Sequence, residues 1–266
     1  MELAGKVVVV TGGASGIGKA LCERFGAEGA RAVVVADLDE WGAAQVSAAL
    51  EASGVRARGV RCDVAEGDQI AALVEDTEAD VGPIDLFCSN AGIAIAGGAE
   101  VPDADWQRIW AVNVMAHVHA ARALVPKMAA RGGGYLLATA SAAGLLTNLG
   151  SAPYSVTKHA AVAFAEWLSI THARDGIKVS CLCPQGVRTP MLLGGLDADE
   201  PSAATVLLAG EMIEPGVVAD AVVTALSEER FLVLPHPEVA TYERHRSEDR
   251  ERWLAGMRRL WESVTP

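Results

Sequence analysis

Long apolar runs, surplus cations and patterned cysteines are all missing from this chain, and each absence closes off a class of function. Apolar stretches such as Val7 to Val10 and Ala160 to Ala165 fall far short of the roughly 18 residues that a membrane span needs. Lysine and arginine number 22 against 34 aspartates and glutamates, a formal net charge of −12. Nucleic acid and anionic membrane both demand a basic surface, so neither is an expected partner. The five cysteines (Cys22, Cys62, Cys88, Cys181, Cys183) are odd in number and lack metal-ligand spacing, and the histidines form no cluster. No metal is expected. Cys181 and Cys183 lie two apart in a strand-like run and so share a face, where they read as small hydrophobes in a reducing compartment. Met1 to Lys6 leads almost directly into the first strand pattern, leaving no room for a secretory leader. The expected location is the cytoplasm.

What is present is apolar and finely divided. Hydrophobic residues make up 51% of the chain and glycines number 27, with Ala, Val and Gly abundant enough for helices packed tightly on a parallel sheet. Short β-branched runs at 6–10, 32–36, 56–62, 84–89, 134–139, 178–183 and 231–234 alternate with Ala-rich helical patterns. The helical patterns cover 16–26, 40–52, 68–80, 105–130, 152–173 and 217–227. Strict alternation implies right-handed crossovers and a doubly wound α/β fold of Rossmann type. The expectation is a seven-stranded parallel sheet with helices on both faces. No repeat, low-complexity tract or Pro/Ser-rich linker divides the chain, so residues 1–266 are expected to form one domain.

The first strand runs into Thr11-Gly12-Gly13-Ala14-Ser15-Gly16-Ile17-Gly18, which opens the first helix. Glycines there serve a tight turn, close approach of backbone to a pyrophosphate, and close helix–strand packing. The helix N-terminus offers free N–H groups and the positive end of its dipole to phosphates. Gly12, Ser15, Gly16, Ile17 and Gly18 are therefore candidate cofactor contacts. The second strand ends in Asp37-Leu38, where a carboxylate accepts from ribose hydroxyls and repels a 2′-phosphate. That favours NAD over NADP, against the alternative that Lys19 or Arg61, neither beside Asp37 in sequence, swings in to hold the phosphate. Asp63-Val64 closes the third strand and Asn90-Ala91-Gly92 follows the fourth, both at the sheet edge where adenine and ribose would lie.

Tyr154 and Lys158 stand four apart in a helical pattern and share one face. A free phenol has a pKa of about 10; a neighbouring ammonium lowers it, which makes a plausible general acid/base for moving an alcohol proton. Ser141 follows the fifth strand and brings a hydroxyl to the same edge. Asn113 sits in an otherwise apolar helical run, where a buried amide requires a specific partner.

Together these residues resemble the short-chain dehydrogenase/reductase family, in its single-domain branch of roughly 250 residues. The loop resembles the family's Thr-Gly-x-x-x-Gly-x-Gly fingerprint. Asn90-Ala91-Gly92, Asn113, Ser141 and the Tyr-x-x-x-Lys pair follow in family order across roughly residues 5–235. The resemblance implies an NAD(H)-dependent oxidoreductase that interconverts a secondary alcohol and a ketone. It implies that Ser141 polarises the substrate oxygen, Tyr154 exchanges its proton, Lys158 binds the nicotinamide ribose, and Asn113 positions a relay water. It further implies adenine contacts at Asp63 and Val64 and a ribose contact at Asn90. Cys183-Pro184-Gln185-Gly186-Val187-Arg188-Thr189 resembles the segment beside the nicotinamide, with Pro184, Val187 and Thr189 as contacts. Gln185 departs from the glycine usual there, and its side chain either reaches the site or turns to solvent.

A catalytically silent NAD(H)-binding sensor or scaffold of the same fold is the alternative, disfavoured because all four of Asn113, Ser141, Tyr154 and Lys158 are present. Residues 187–215 break the βα rhythm and read as a lid over a pocket for an apolar substrate, or as leucines that merely pack on the sheet. Residues 236–266 carry six arginines and six acidic residues around an apolar set at Trp253, Leu254, Met257, Leu260 and Trp261, which reads as a solvated helix with one sticky face. The patterns at 105–130 and 152–173 are apolar nearly all round, more than one sheet contact requires. By resemblance they pair across two-fold axes into a dimer or tetramer. The substrate's identity, the physiological direction and the stereochemistry are not legible.

Overall fold

The computed structural model describes residues 1–265. Seven strands, β1 (Val7–Thr11), β2 (Ala32–Asp37), β3 (Ala57–Arg61), β4 (Leu86–Ser89), β5 (Gly134–Thr139), β6 (Ile177–Leu182) and β7 (Leu232–Val233), form one sheet. Their order is β3-β2-β1-β4-β5-β6-β7, and every neighbouring pair is parallel. The expected Rossmann-type architecture is present.

Alternation along the strands explains why the sheet is covered on both sides. On β1, Val7 and Val9 join one buried cluster while Val8 and Val10 join the other. The first cluster is completed by α3 (Gly67–Asp80), α5 (Ala116–Ala130) and α7 (Ala152–Thr171) through residues such as Leu73, Leu124, Met128, Ala165 and Leu168. The second is completed by α1 (Gly16–Ala27), α2 (Glu40–Ala52) and α10 (Pro215–Ser227) through Leu21, Phe25, Leu50, Val222 and Leu226. A strand buried on both faces has no polar side to show, which is why β1 and β2 read as continuous apolar runs.

The structure departs from the pattern reading in four places. The single helix expected over 105–130 is a rod of three parts: α4 (Asp103–Trp110), a π-helical turn (Ala111–Met115) and α5. The extra residue of a π turn has no hydrophobic signature, so periodicity cannot disclose it. A short α6 (Ala143–Leu146) follows β5, too brief for any period to register. Residues 187–215 contain α8 (Pro190–Asp197) and α9 (Pro201–Ala209), and the charged tail is two helices, α11 (Glu238–Glu248) and α12 (Arg250–Val264). The caps explain these breaks: Thr189 Oγ1 accepts from Leu192 N at 3.4 Å to start α8, and Asp249 Oδ1 accepts from Arg252 N at 2.9 Å to restart the tail. No helix among the described residues is long and apolar enough to cross a membrane.

Candidate active site

Strand order reverses between β1 and β4, and in open α/β sheets ligands sit at that point, beyond the carboxyl ends of the strands. Here the chain is clamped. Thr11 Oγ1 donates to Cys88 O (3.2 Å) and accepts from the N–H groups of Asn90 (3.0 Å) and Ala91 (3.2 Å). Asn90 Nδ2 donates to Thr11 O at 3.1 Å, while its Oδ1 accepts from Thr139 Oγ1 at 3.1 Å. Asn90 therefore ties the edges of β1, β4 and β5 together and holds the crevice open.

The glycine loop fits an anion. A Cβ at Gly18 would lie 2.0 Å from Gly12 O, so loop and helix approach too closely for any side chain. Gly16 takes a left-handed φ of 51°, which lets the chain turn under Thr189. Ser15 stands at the N-cap of α1 without a side-chain cap bond, and the first turn carries no acidic residue. The N–H groups and positive dipole end of α1 are thus left free for phosphate. At the end of β2, Asp37 Oδ2 accepts from Ala14 N at 2.9 Å and Oδ1 accepts from Asp39 N at 3.0 Å. These bonds set the carboxylate against the loop, with Leu38 exposed beside it. Asp63 Oδ1 accepts from Ala65 N (3.0 Å) and its own N–H donates to Gln69 Oε1 (2.9 Å), which fixes the turn that buries Val64. Arg61 lies directly opposite Asp37 in the β2–β3 register. Of the two cations that the sequence sets against the charge argument for NAD, Lys19 and Arg61, the register brings Arg61 beside Asp37 and so tempers that argument. A nicotinamide dinucleotide suits this cradle.

The chemical end forms where β5, α7 and the π turn meet. Lys158 is buried, and its Nζ donates to Thr139 O at 3.0 Å and lies 5.6 Å from the centre of the Tyr154 ring. Burial pushes its pKa down to about 8. The half-buried Tyr154 phenol is itself pushed above its ordinary value by burial, and hydrogen bonding with the Ser141 hydroxyl pulls the other way. Helical spacing alone points to an ammonium that lowers the phenol. Burial wins instead, and it acts on both partners: the lysine is losing its proton before the phenol begins to ionise. Ser141 Oγ is buried, accepts from Ala143 N at 3.1 Å and reaches Pro184 O at 3.4 Å.

Asn113 is fully buried inside the π turn. Its Oδ1 accepts from Ile93 N at 2.9 Å, and its Nδ2 donates to Ile93 O at 2.9 Å and to Thr157 Oγ1 at 3.2 Å. The amide thus pairs with the backbone of the loop after β4 and ties it to α7. A side chain at Gly92 would come within 3.3 Å of Asn113 Oδ1 and 3.4 Å of Lys158 Nζ, so that loop lies over both.

Ser141 and Tyr154 open onto a cavity of about 370 Å³ whose wall also includes Ile17, Pro184, Val187 and Thr189. The glycine loop and the chemical end therefore share one chamber. The other walls are largely apolar. Within residues 187–215, Met191, Leu192 and Val206 line it, and Met191, Leu207 and Leu208 are exposed. Sequence reading missed the contribution of the tail: Trp253, Met257 and Leu260 of α12 line the same cavity, together with Tyr242 of α11. Their spacing at one helix face was visible, but nothing local says where that face docks. Gln185, left open between site and solvent, also lines the cavity. Among the described residues no group of histidine, cysteine, aspartate and glutamate could hold a metal ion.

Comparison with known proteins agrees with this geometry. A family profile described as short chain dehydrogenase matches residues 6–197. The 1-deoxy-11-beta-hydroxypentalenate dehydrogenase of Streptomyces exfoliatus is 36% identical over 242 residues, covering 90% of this chain and 86% of that protein. A short-chain dehydrogenase/reductase from Burkholderia phymatum, solved in complex with NAD, superposes with a TM-score of 0.87 at 31% identity, over 94% of this chain and 96% of that one. L-sorbose reductase from Gluconobacter frateurii, solved with NADPH and L-sorbose, superposes with a TM-score of 0.79 at 30% identity, over 88% and 97% of the two chains.

Proposed function

This chain belongs to the short-chain dehydrogenase family of oxidoreductases, and from that premise we propose that it interconverts a secondary alcohol and a ketone with NAD(H), using Tyr154 as general acid/base. The observation that carries the proposal is convergence: Ser141, Tyr154 and the glycine loop's Ile17 open onto one cavity, with Lys158 buried behind. The residues that would hold the dinucleotide are Gly12, Ser15, Gly16, Ile17 and Gly18 at the phosphates, and Asp37, Leu38, Asp63, Val64, Asn90, Ala91 and Gly92 toward adenosine. Lys158, Pro184, Val187 and Thr189 would meet its nicotinamide half. Bound there, the nicotinamide supplies the hydride acceptor or donor of the reaction.

The chain's own part is the proton and the oxygen. Ser141 Oγ, steadied by Ala143 N, donates to the substrate oxygen and orients it toward Tyr154. At neutral pH the phenol is protonated, so it is set to donate as a ketone becomes an alcohol and to recover the proton in reverse. Lys158, its pKa near 8, sits in the range where a proton passes readily between group and water. Asn113, by pinning the loop after β4, positions the relay beside Lys158. Asp37 supports NAD over NADP. The apolar walls support an apolar substrate, in a cavity of the size that small-molecule sites usually have. Exposed Trp110, Val156, Trp167 and Ile170 on the α4 and α7 faces support a homo-oligomer, dimer or tetramer.

Tyr154→Phe tests the assignment. Loss of the proton carrier is expected to lower kcat by about 10²–10⁴-fold while NADH, followed by its fluorescence, binds nearly as before. Near-normal turnover of the variant on secondary alcohols would sink the role given to Tyr154.

A further inference from the structure

We propose that Gln185 is a specificity-determining residue that recognises a second hydroxyl on an otherwise apolar alcohol, so that the preferred substrates are diols and hydroxyketones. The inference rests on the dehydrogenase reading above and adds the class of substrate to it. Both amide atoms of Gln185, Oε1 and Nε2, are buried without a hydrogen-bond partner among the described residues. The side chain lines the same cavity as Ser141 and Tyr154. A buried amide costs about 1–3 kcal/mol when left unpaired, so a side chain held in that condition at a ligand cavity calls for a partner that arrives with the ligand.

The position is built, not incidental. Gln185 N donates to His236 Nδ1 at 3.2 Å, and His236 Nε2 is 3.1 Å from Gly186 O. An imidazole that accepts at Nδ1 must carry its proton at Nε2, so the ring donates onward to Gly186 O. His236 is buried, and the two bonds fix the backbone on both sides of the glutamine carbonyl carbon. The amide lies against Gly210, where a Cβ would stand 3.1 Å from Nε2 and 2.7 Å from Glu238 Oε1. The backbone at Gln185 is therefore clamped at the cavity wall, with the amide packed beside Gly210.

The unmet valences name the ligand chemistry. Nε2 needs an acceptor and Oε1 needs a donor. A carboxylate offers only acceptors and leaves Oε1 unpaired; a ketone does the same. A hydroxyl offers both. With Ser141 and Tyr154 engaging the reacting oxygen, the hydroxyl that Gln185 takes is a second one, elsewhere on the same apolar skeleton.

The test compares cyclohexanol and decalinol with their hydroxylated counterparts, the cyclohexanediols and decalindiols, as substrates of the full-length enzyme with NAD and with NADP. The wild type is expected to favour the best diol over the matching mono-alcohol by about tenfold or more in kcat/KM, the effect of one good hydrogen bond. Gln185→Leu, close in volume but without donor or acceptor, is expected to collapse that ratio toward one by losing efficiency on the diol. Gln185→Asn, which keeps both valences on a shorter stem, is expected to retain part of it. A ratio near one in the wild type, or a ratio that Gln185→Leu leaves unchanged, overturns the inference while the dehydrogenase reading stands. Absence of turnover with every alcohol and both nucleotides overturns the dehydrogenase reading, and this inference with it.

Discussion

Asp37 shows how one residue can carry a cofactor preference, and how far its neighbours can erode it. A 2′-phosphate of charge near −2 would share the end of β2 with this carboxylate. At about 4 Å and an effective dielectric near 20, each unit-charge pair costs roughly 4 kcal/mol before relaxation and screening. Arg61, opposite Asp37 in the sheet register, offsets part of that. If a quarter of the repulsion survives, about 2 kcal/mol remains, a preference for NAD of more than tenfold. Steady-state kinetics on one alcohol with both nucleotides is expected to return that ratio. Asp37→Ala should narrow it and Arg61→Ala should widen it. Equal kcat/KM for NAD and NADP in the wild type would refute the charge argument. Residues of this kind were legible in sequence because Asp37 acts through its place at a strand end. Arg61 was legible as a cation that could reach a 2′-phosphate but not as Asp37's neighbour, because register across parallel strands leaves no mark on the order of residues.

At the scale of elements, sequence disclosed what repeats and concealed what only tertiary packing decides. β1 and β2 are unbroken apolar runs buried on both faces, and no other element fits such a run so short. The π turn at Asn113 has no such signal, and the partners of its amide, Ile93 in the loop after β4 and Thr157 on α7, are distant in sequence. His117, on α5 just beyond that turn, makes the same point. Both ring nitrogens are buried without a partner among the described residues, and burial, with the Lys158 charge second, pushes the pKa down to about 3. The unfolded chain takes up this proton near pH 6.5, the folded chain only near 3. Stability from this group is therefore full above the unfolded value and drains away as pH falls toward the folded one, by about 1.4 kcal/mol per pH unit within that window. His117→Leu removes the penalty. Urea unfolding at neutral pH and at about pH 5 and 4 is expected to show a shallower acid loss in the variant, by roughly 2 kcal/mol at pH 5 and roughly 3 kcal/mol at pH 4. Identical pH slopes for the two proteins would mean that His117 does not stay neutral in the fold.

Across the whole molecule, chain segments distant in sequence complete one chamber. The sheet edge supplies its floor, residues 187–215 one wall through α8 and α9, and the tail another through Trp253, Met257 and Leu260. Glycine, proline and leucine content announced that residues 187–215 leave the βα rhythm, but the tail's docking could not be read, because an amphipathic face says that it packs and not against what. The wall is lightly anchored. Neither α8 nor α12 contains a buried residue, the buried residues of α9 are only the small Ser202, Ala203 and Thr205, a Cβ at Gly194 would meet nothing within 4 Å, and Asp199, between α8 and α9, takes a left-handed φ of 53°. Segments with little buried apolar surface open at low free-energy cost. We therefore propose that residues 187–215 form a mobile lid that closes over bound nucleotide and substrate. Limited proteolysis is expected to cut within this segment first in the free enzyme, and saturating NADH is expected to slow that cut severalfold. Absence of cleavage there, or a rate that NADH leaves unchanged, removes the lid. The tail is tested separately. Trp253→Ala combined with Met257→Ala strips apolar wall from the cavity without touching the nucleotide cradle, at a cost of about 25 cal/mol for each Å² of apolar substrate surface that stays in water. KM for decalin-sized alcohols is expected to rise about tenfold while NADH affinity holds. An unchanged KM would separate α12 from the substrate and leave it a structural cover only.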